Sequence, residues 1–419
     1  MKTFKSLNSR KRSALVPFRT FRLQVLAGLI ILAAACSEQS DNSAGLILIP
    51  EGNIGGDPQS LSFDRAVRVV SVEGEAANKG DNAVVAAGNS GDFRMRALLT
   101  FLIELPESTE VVGGVLTLYP RRIGGQPPLE FSIHLLDRDF EELEVTWENA
   151  AKTVRWSNPG GDYDPQALGS FSYDGGGLDS LSVDTVSVKL DSLQLDSRLA
   201  PGSNYLQMEI VPTGGEGWVS LQARELDITA TVSSRLDIIY RLSGGTTFSI
   251  IERSALKDAT ISSYSGTTTP GMLRVGEVPA SQVFFQYDIA GIPPYATINQ
   301  ARLLLSLYST AFVDTFQVTS FVAGEPAFTR PSSTEALLPQ RFGSGTSNLT
   351  VDVTLALQKL ISADTAAAGS YLVLTSSSIN FVGFAEIYPA DWPDESLRPR
   401  LEVLYTDTPE AARPKGSGR

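Results

Sequence analysis

Cysteine and histidine are nearly missing from this chain of 419 residues, which has one of each, Cys36 and His134. A single cysteine excludes an intrachain disulfide. A single histidine argues against a histidine-based metal centre or a His-dependent catalytic triad within one chain. Long apolar runs are scarce as well: the stretch LQVLAGLIILAAA spans 13 residues, short of the roughly 20 that a membrane-spanning helix needs. Positive charge is under-represented, with 34 Lys and Arg against 47 Asp and Glu and a formal net charge of −13. Beyond the N-terminus no strong Lys/Arg cluster occurs, and an acidic chain repels phosphate backbones, so nucleic acid is not an expected partner. Catalytic signatures such as G-x-S-x-G, H-E-x-x-H and the P-loop are absent.

The N-terminus accounts for the cysteine. Residues 1–22 hold seven Lys or Arg and no acid, the apolar run follows, and Cys36 comes directly after LAAA. A basic region, a short apolar core and small residues describe an export signal. The segment resembles a bacterial lipoprotein signal, although Ala33 stands where that pattern prefers Leu. The resemblance implies removal of residues 1–35, acylation of Cys36, and a tether over 36–58 that holds the folded part at the membrane. Ser37 after the cysteine points to an outer-membrane or cell-surface address in the bacterial envelope. Without its signal the chain keeps 27 of 34 basic residues and all 47 acids, a net charge of −20.

What the sequence has in abundance is short β-branched and aromatic runs separated by Gly, Pro, Asn and Asp, the pattern of an all-β sandwich or barrel. The runs form two series. Pro106 is followed at offsets 5, 8, 10 and 12 by Val111, Gly114, Leu116 and Leu118; Pro293 is followed at the same offsets by Ile298, Ala301, Leu303 and Leu305. Each series ends in a similar strand, RLDIIY from Arg235 and RLEVLY from Arg400. A matched order of this kind indicates duplication. The alternating leucines predict one buried strand face in each copy. The expected architecture is two tandem β-sandwiches, residues 59–242 and 253–406, joined by a linker over 243–252 and followed by a disordered tail over 407–419.

The segments ALLTFLIELPESTEVVGGVLTLY, TWENA, WSNPGGDYD and RLDIIY, with VFFQYDIAGIPPYATINQARLLLSLY and RLEVLY in the second series, resemble the DNRLRE-type domain, a disaggregatase-related family grouped with carbohydrate-binding modules. The likeness extends over about residues 60 to 406, and the second copy lacks the tryptophan and Gly-Gly-Asp of the first. It implies jelly-roll-like sandwiches at a cell surface that bind polysaccharide without catalysis. A different class, an envelope adhesion or structural protein that binds protein neighbours, fits the same composition, and a β-sandwich lyase or hydrolase is a weaker third.

Sugar recognition needs flat rings to meet pyranose C–H groups and polar side chains to fix the hydroxyls. The candidates are Trp156 and Tyr163 beside the Gly160-Gly161 turn, Trp218 after a Gly-rich turn, and Trp392 between prolines. Trp147, in the alternating run VTW, is expected in the core. Asp162 and Asp164 offer hard oxygens for a structural Ca²⁺, with solvated loop carboxylates as the plainer reading. Glu225 and Glu386 recur near the ends of the copies and are assigned to the fold, paired with Arg235 or Arg400. His134 is expected at the surface or as a satisfied core residue.

Overall fold

The structure is a computed structural model, and it describes residues 57–74, 84–176, 184–199, 204–224, 233–294, 296–313, 315–329, 339–343, 345–362, 370–376 and 382–407. The expected signal, Cys36, most of the tether, Glu225 and the tail from residue 408 lie outside these. Residues 57–408 form one compact unit.

Strands dominate it. A leading arm supplies β1 (Gln59–Phe63) and β2 (Arg68–Glu73). Next come β3 (Val84–Ser90), β4 (Phe93–Leu102), β5 (Thr109–Leu118) and β6 (Pro120–Leu135). A short ribbon, β7 (Asn149–Ala151) and β8 (Val154–Arg155), precedes β9 (Gly169–Tyr173) and β10 (Val186–Leu190). Helix α1 (Ser192–Arg198) leads into β11 (Tyr205–Gln222), β12 (Arg235–Leu242), β13 (Phe248–Ser254) and β14 (Lys257–Tyr264). The second half holds β15 (Leu273–Glu277), β16 (Ala280–Gln286), β17 (Thr297–Phe312), β18 (Phe316–Ala323) and β19 (Gln340–Phe342). It ends with β20 (Asn348–Asp352), α2 (Thr354–Ser362), β21 (Tyr371–Ser376), β22 (Gly383–Ile387) and β23 (Arg400–Thr406).

These strands build two β-sandwiches of shared topology. Sheet β10-β5-β12-β13 in the first corresponds to β20-β17-β23-β1 in the second, and β14 on β4 corresponds to β2 on β16. In the second sandwich the long β17 serves both sheets, pairing with β20 and β23 along its first part and from Leu307 onward with β22, with a register shift between Leu307 and Ser309. The alternating leucines do what their period requires: Leu116, Leu118, Leu303 and Leu305 are all buried. The small residue at offset 8 also has a cause. A Cβ on Gly114 would collide with Leu195 of α1, whose side chain lies over the strand. At the corresponding Ala301, the backbone N–H donates to Thr354 of α2 at 2.9 Å. Both helices start behind an aspartate that accepts a backbone N–H, Asp191 from Gln194 and Asp352 from Thr354, each at 2.9 Å, which satisfies donors that the first turn leaves free.

The strand pairing cuts across the boundaries read from the sequence. The segment taken as a linker, 243–252, contains the turn of a β12–β13 hairpin. β13 and β14 therefore join the first sandwich, while β1 and β2 join the second. A short Gly-Gly turn, closed by Gly245 N–H on Leu242 O at 2.8 Å, makes the local hairpin the entropically cheaper neighbour for β12. Between the two sandwiches lies a small apolar cluster that includes Phe93, Met95 and Trp218 on one side and Val278, Val313 and Phe384 on the other.

Candidate functional site

The TWENA…WSNPGGDYD segment belongs to a long connection between β6 and β9 that covers the outer face of the first sandwich. Leu136, Phe140, Val145, Ala150 and Trp156 close over Leu98, Ala259 and Ile261 in a cluster of their own. Trp156 is 5% exposed and its indole N–H donates to Thr146 O at 3.0 Å. Its ring has no face for a sugar, so its assignment as a binding residue is corrected to packing. The same correction applies to Trp218, 6% exposed in the cluster between the sandwiches.

Trp147 and Tyr163 are half-buried and flank Arg96, whose guanidinium carbon lies 4.9 Å from one ring centroid and 5.2 Å from the other. Tyr163 also packs on His134 at 4.8 Å. His134 is satisfied in the core, by Ser132 Oγ at 2.7 Å and Asp164 O at 2.8 Å. Arg96 donates to Gly160 O at 2.7 Å and to Glu209 Oε1 at 2.9 Å. Glu209 is fully buried. Burial pushes its carboxyl up to about 8 against the pull of Arg96, since removing a carboxylate from water favours its neutral form. The Gly-Gly pair follows from this packing: Gly160 and Gly161 have φ of +94° and +113°, and a Cβ on Gly161 would strike the Glu209 carboxyl.

Asp162 braces the same loop. Its carboxylate accepts the Ser157 and Asn158 N–H groups at 2.9 Å each and lies 3.5 Å from Arg138 Nε. Burial raises its pKa, but these hydrogen bonds and Arg138 outweigh burial and hold it below the usual aspartate range. Asp164 Oδ1 accepts Gln166 N–H at 2.9 Å. Both Asp162 carboxylate oxygens are engaged by N–H donors and a guanidinium lies 3.5 Å away, which does not suit Ca²⁺. No group of three or more His, Cys, Asp or Glu arranged to hold a metal occurs among the described residues. Of the recurrent glutamates, Glu386 is buried and accepts Thr269 N–H and Ser309 Oγ–H at 2.7 Å each, with Arg274 at 3.7 Å. Arg400 pairs with Glu402 and Arg235 with Asp237, so the pairing of Glu386 with Arg400 is corrected.

Trp392 stands apart. Only half-buried, it packs against Tyr388 at 5.1 Å, and Tyr388 meets Tyr308 edge-on at 5.6 Å. Tyr308 is 46% exposed. The trio lies beside a groove of about 680 Å³ on the second sandwich, whose lining includes Ser306 and Arg398 but none of the three rings. Leu303, Leu305 and Leu307 are core residues, and the alternation turns Leu304, Ser306 and Tyr308 to the other face, where Ser306 is buried and Tyr308 exposed. Ser306 lies opposite Asn348 and accepts Tyr388 N–H at 3.2 Å, which ties rings and groove together. Arg400 on β23 lies on the same face, opposite Leu304. The β1–β2 turn adds Asp64 and Arg65, and the loop after Trp392 adds Glu395 and Arg398.

That loop is held rigid. Asp394 Oδ1 accepts Ser396 N–H and Oγ–H at 3.0 and 2.7 Å, and these bonds hold its carboxyl below the usual range. Arg398 donates to Trp392 O at 2.7 Å and to Glu395 at 2.9 Å. The site thus combines ring faces, a preset fork of donors and carboxylate acceptors, the chemistry that polyhydroxylated ligands require. Sequence reasoning found Trp392 and missed Tyr308 and Tyr388. The signal for Tyr308 was its outward place in the LLLSLY alternation, and for Tyr388 its position four residues before Trp392.

No family model matches the chain, and no curated protein does. Among solved structures it is similar to the N-terminal CBM22-1-CBM22-2 tandem domain from Paenibacillus barcinonensis Xyn10C, at 8% identity over 86% of this chain and 100% of that one, with a TM-score of 0.15. It is also similar to the Macrobrachium rosenbergii nodavirus structure, at 9% identity over 96% and 98% of the two chains, with a TM-score of 0.10. At these TM-scores neither likeness bears on fold or ligand.

Proposed function

We propose that this protein is a non-catalytic, DNRLRE-type surface lipoprotein that binds extracellular or cell-wall polysaccharide through its second sandwich. The observation that carries the reading is the Tyr308–Tyr388–Trp392 trio beside a groove lined by Ser306, Asn348, Arg398 and Arg400. Rings supply stacking for pyranose faces and the groove supplies hydrogen bonds for hydroxyls. The proposal includes no turnover: glycosidases use a carboxyl pair free to exchange protons across one cleft, and of the carboxylates lining this groove Asp64 accepts Ser62 Oγ–H and Glu395 accepts Arg398, each at 2.9 Å. The anchor is Cys36, supported by the basic, apolar and small-residue order before it.

Affinity electrophoresis through gels cast with neutral and acidic polysaccharides tests the binding reading. Retardation that is lost in Trp392→Ala and kept in Tyr163→Phe supports it. Unchanged mobility in every gel, with a protein neighbour recovered by crosslinking, replaces it with the adhesion reading. The anchor is tested by fractionation: the chain partitions with membranes and Cys36→Ser does not.

A further inference from the structure

The two sandwiches differ in how they are closed. The first is covalently continuous from β3 to β14, and its outermost pair, β13 and β14, arrives through a tight hairpin from β12. The second has its body in β15 to β23, yet its closing strands β1 and β2 lie in the chain ahead of the whole first sandwich. Gln59 and Tyr405, hydrogen-bonded at 2.7 Å, are 346 residues apart.

The arm clips two sheet edges at once. Among the described residues β1 pairs with β23 alone, from Gln59 opposite Tyr405 to Phe63 opposite Leu401, and β2 with β16 alone, from Arg68 opposite Gln286 to Glu73 opposite Ser281. Without the arm both β23 and β16 present free backbone donors and acceptors, which are templates for strand addition. The arm is seated by partly buried side chains. Between residues 57 and 74 Ala66 alone is fully buried; Leu61, Phe63 and Val69 pack on the main core and Val70 and Val72 on a second cluster, all partly buried. Its counterpart β14 buries every residue from Asp258 to Ser262.

We infer that the β1–β2 arm is exchanged between copies of this chain, each arm closing the second sandwich of its partner in a reciprocal dimer. The contacts that seat the arm are Gln59 with Tyr405, Arg68 with Tyr371 at 2.9 Å and Glu73 with Arg274 at 3.0 Å. They form equally well within one chain or between two. Swapping an identical element therefore costs little, and the balance between self-closure and exchange follows the concentration of chains. Asp64 and Arg65 lie in the turn of the arm, so in the dimer each groove takes these two lining residues from the other copy. That consequence rests on the polysaccharide reading; the exchange does not.

The test uses the whole chain with Cys36→Ser, so that introduced thiols stand alone. Ser60 lies opposite Leu404, at the roughly 5 Å Cβ separation of cross-strand neighbours. One copy carries Ser60→Cys and the other, with a larger tag, Leu404→Cys. The two are unfolded, refolded together over a range of concentrations, and joined by oxidation or a short bismaleimide. The expected product is a mixed crosslinked dimer whose yield rises with concentration, while the Ser60→Cys/Leu404→Cys double variant closes within one chain at high dilution. Absence of the mixed dimer at every concentration, with full closure of the double variant, overturns the inference. So does failure of the double variant to crosslink at all, because β1 then does not pair with β23. Neither readout involves a glycan, so loss of the polysaccharide reading leaves this one standing.

Discussion

Each sandwich buries a glutamate beside an arginine, and the two pairs serve different ends. In the first, Arg96 and Glu209 meet at 2.9 Å beneath a cover of rings, with Glu209 Oε2 lacking a hydrogen-bond partner among the described residues. In the second, Arg274 reaches Glu386 at 3.7 Å and also holds Glu73 of the arm at 3.0 Å, while Glu386 is satisfied by Thr269 and Ser309. One pair organises a permanent lid; the other fastens a strand that arrives from far along the chain. The tryptophans divide in the same way: Trp147, Trp156 and Trp218 pack the first sandwich or its interface, and Trp392 stays half-buried against Tyr388 on the second. Duplicated frames have thus diverged in what their loops do, one toward closure and one toward an open surface.

The sharpest way to break the comparison is to remove the arginine under the lid. Arg96→Ala leaves Glu209 buried without its counter-charge and the two flanking rings without the cation between them. The expected loss is about 3–5 kcal/mol at about pH 9.5, above the carboxyl's value of about 8, where the parent's Glu209 is ionised beside Arg96. It shrinks toward about pH 6, where the carboxyl is neutral in both proteins. Denaturant midpoints at the two pH values measure it, and an equal loss at both would assign the effect to packing alone.

Gly161→Ala is the next largest. It places a methyl against the Glu209 carboxyl on a backbone of positive φ, an overpacking and strain penalty of about 1–3 kcal/mol, read as a fall in Tm. The corresponding change at an unconstrained surface position, Gly324→Ala, meets nothing within 4 Å and is expected to be near neutral. A similar loss at both would remove the lid from the account.

The buried carboxyl also sets a pH signature. Because the folded value, about 8, lies above the ordinary 4.5, the folded state binds more protons than the unfolded state between those limits. The contribution of Glu209 is therefore fully present below pH 4.5 and is lost as the pH rises toward 8. Glu209→Gln keeps the shape and removes the titration, so its stability is expected to be flatter than that of the parent over this window. Parallel curves for parent and variant would place the titration elsewhere.

Much of this frame was legible in the sequence because its causes are local. Pro106 and Pro293 start matched strands, and leucines at equal offsets fill matched cores. The small residue at Gly114 was visible as a repeat feature, but its reason, Leu195 from a helix some 80 residues later, was not. Strand partnership was the least legible property. Nothing in the sequence of β13 says that it stays with β12 instead of opening the next copy; a Gly-Gly turn decides it. The same gap explains the tryptophans. A ring beside a Gly-Gly pair looks like an exposed turn, yet here glycine marks a close approach to Glu209, and the rings beside it are covered.

The smallest expected change in stability is the one that separates the two surfaces most cleanly. Tyr308 points out of β17 and touches Tyr388 edge-on, so Tyr308→Ala removes little buried area. Its effect on stability is expected to stay within about 0.5 kcal/mol, as for exposed positions generally. Trp156→Ala, which empties the lid cluster, is expected to cost about 3–5 kcal/mol. Retention in polysaccharide gels should order the two in reverse: lost or reduced in Tyr308→Ala, and unchanged in Trp156→Ala under conditions where that variant remains folded. A groove that binds through its rings requires this inversion. If both variants retain ligand equally, Tyr308 and its neighbours pack the rim of the second sandwich and the polysaccharide lies elsewhere.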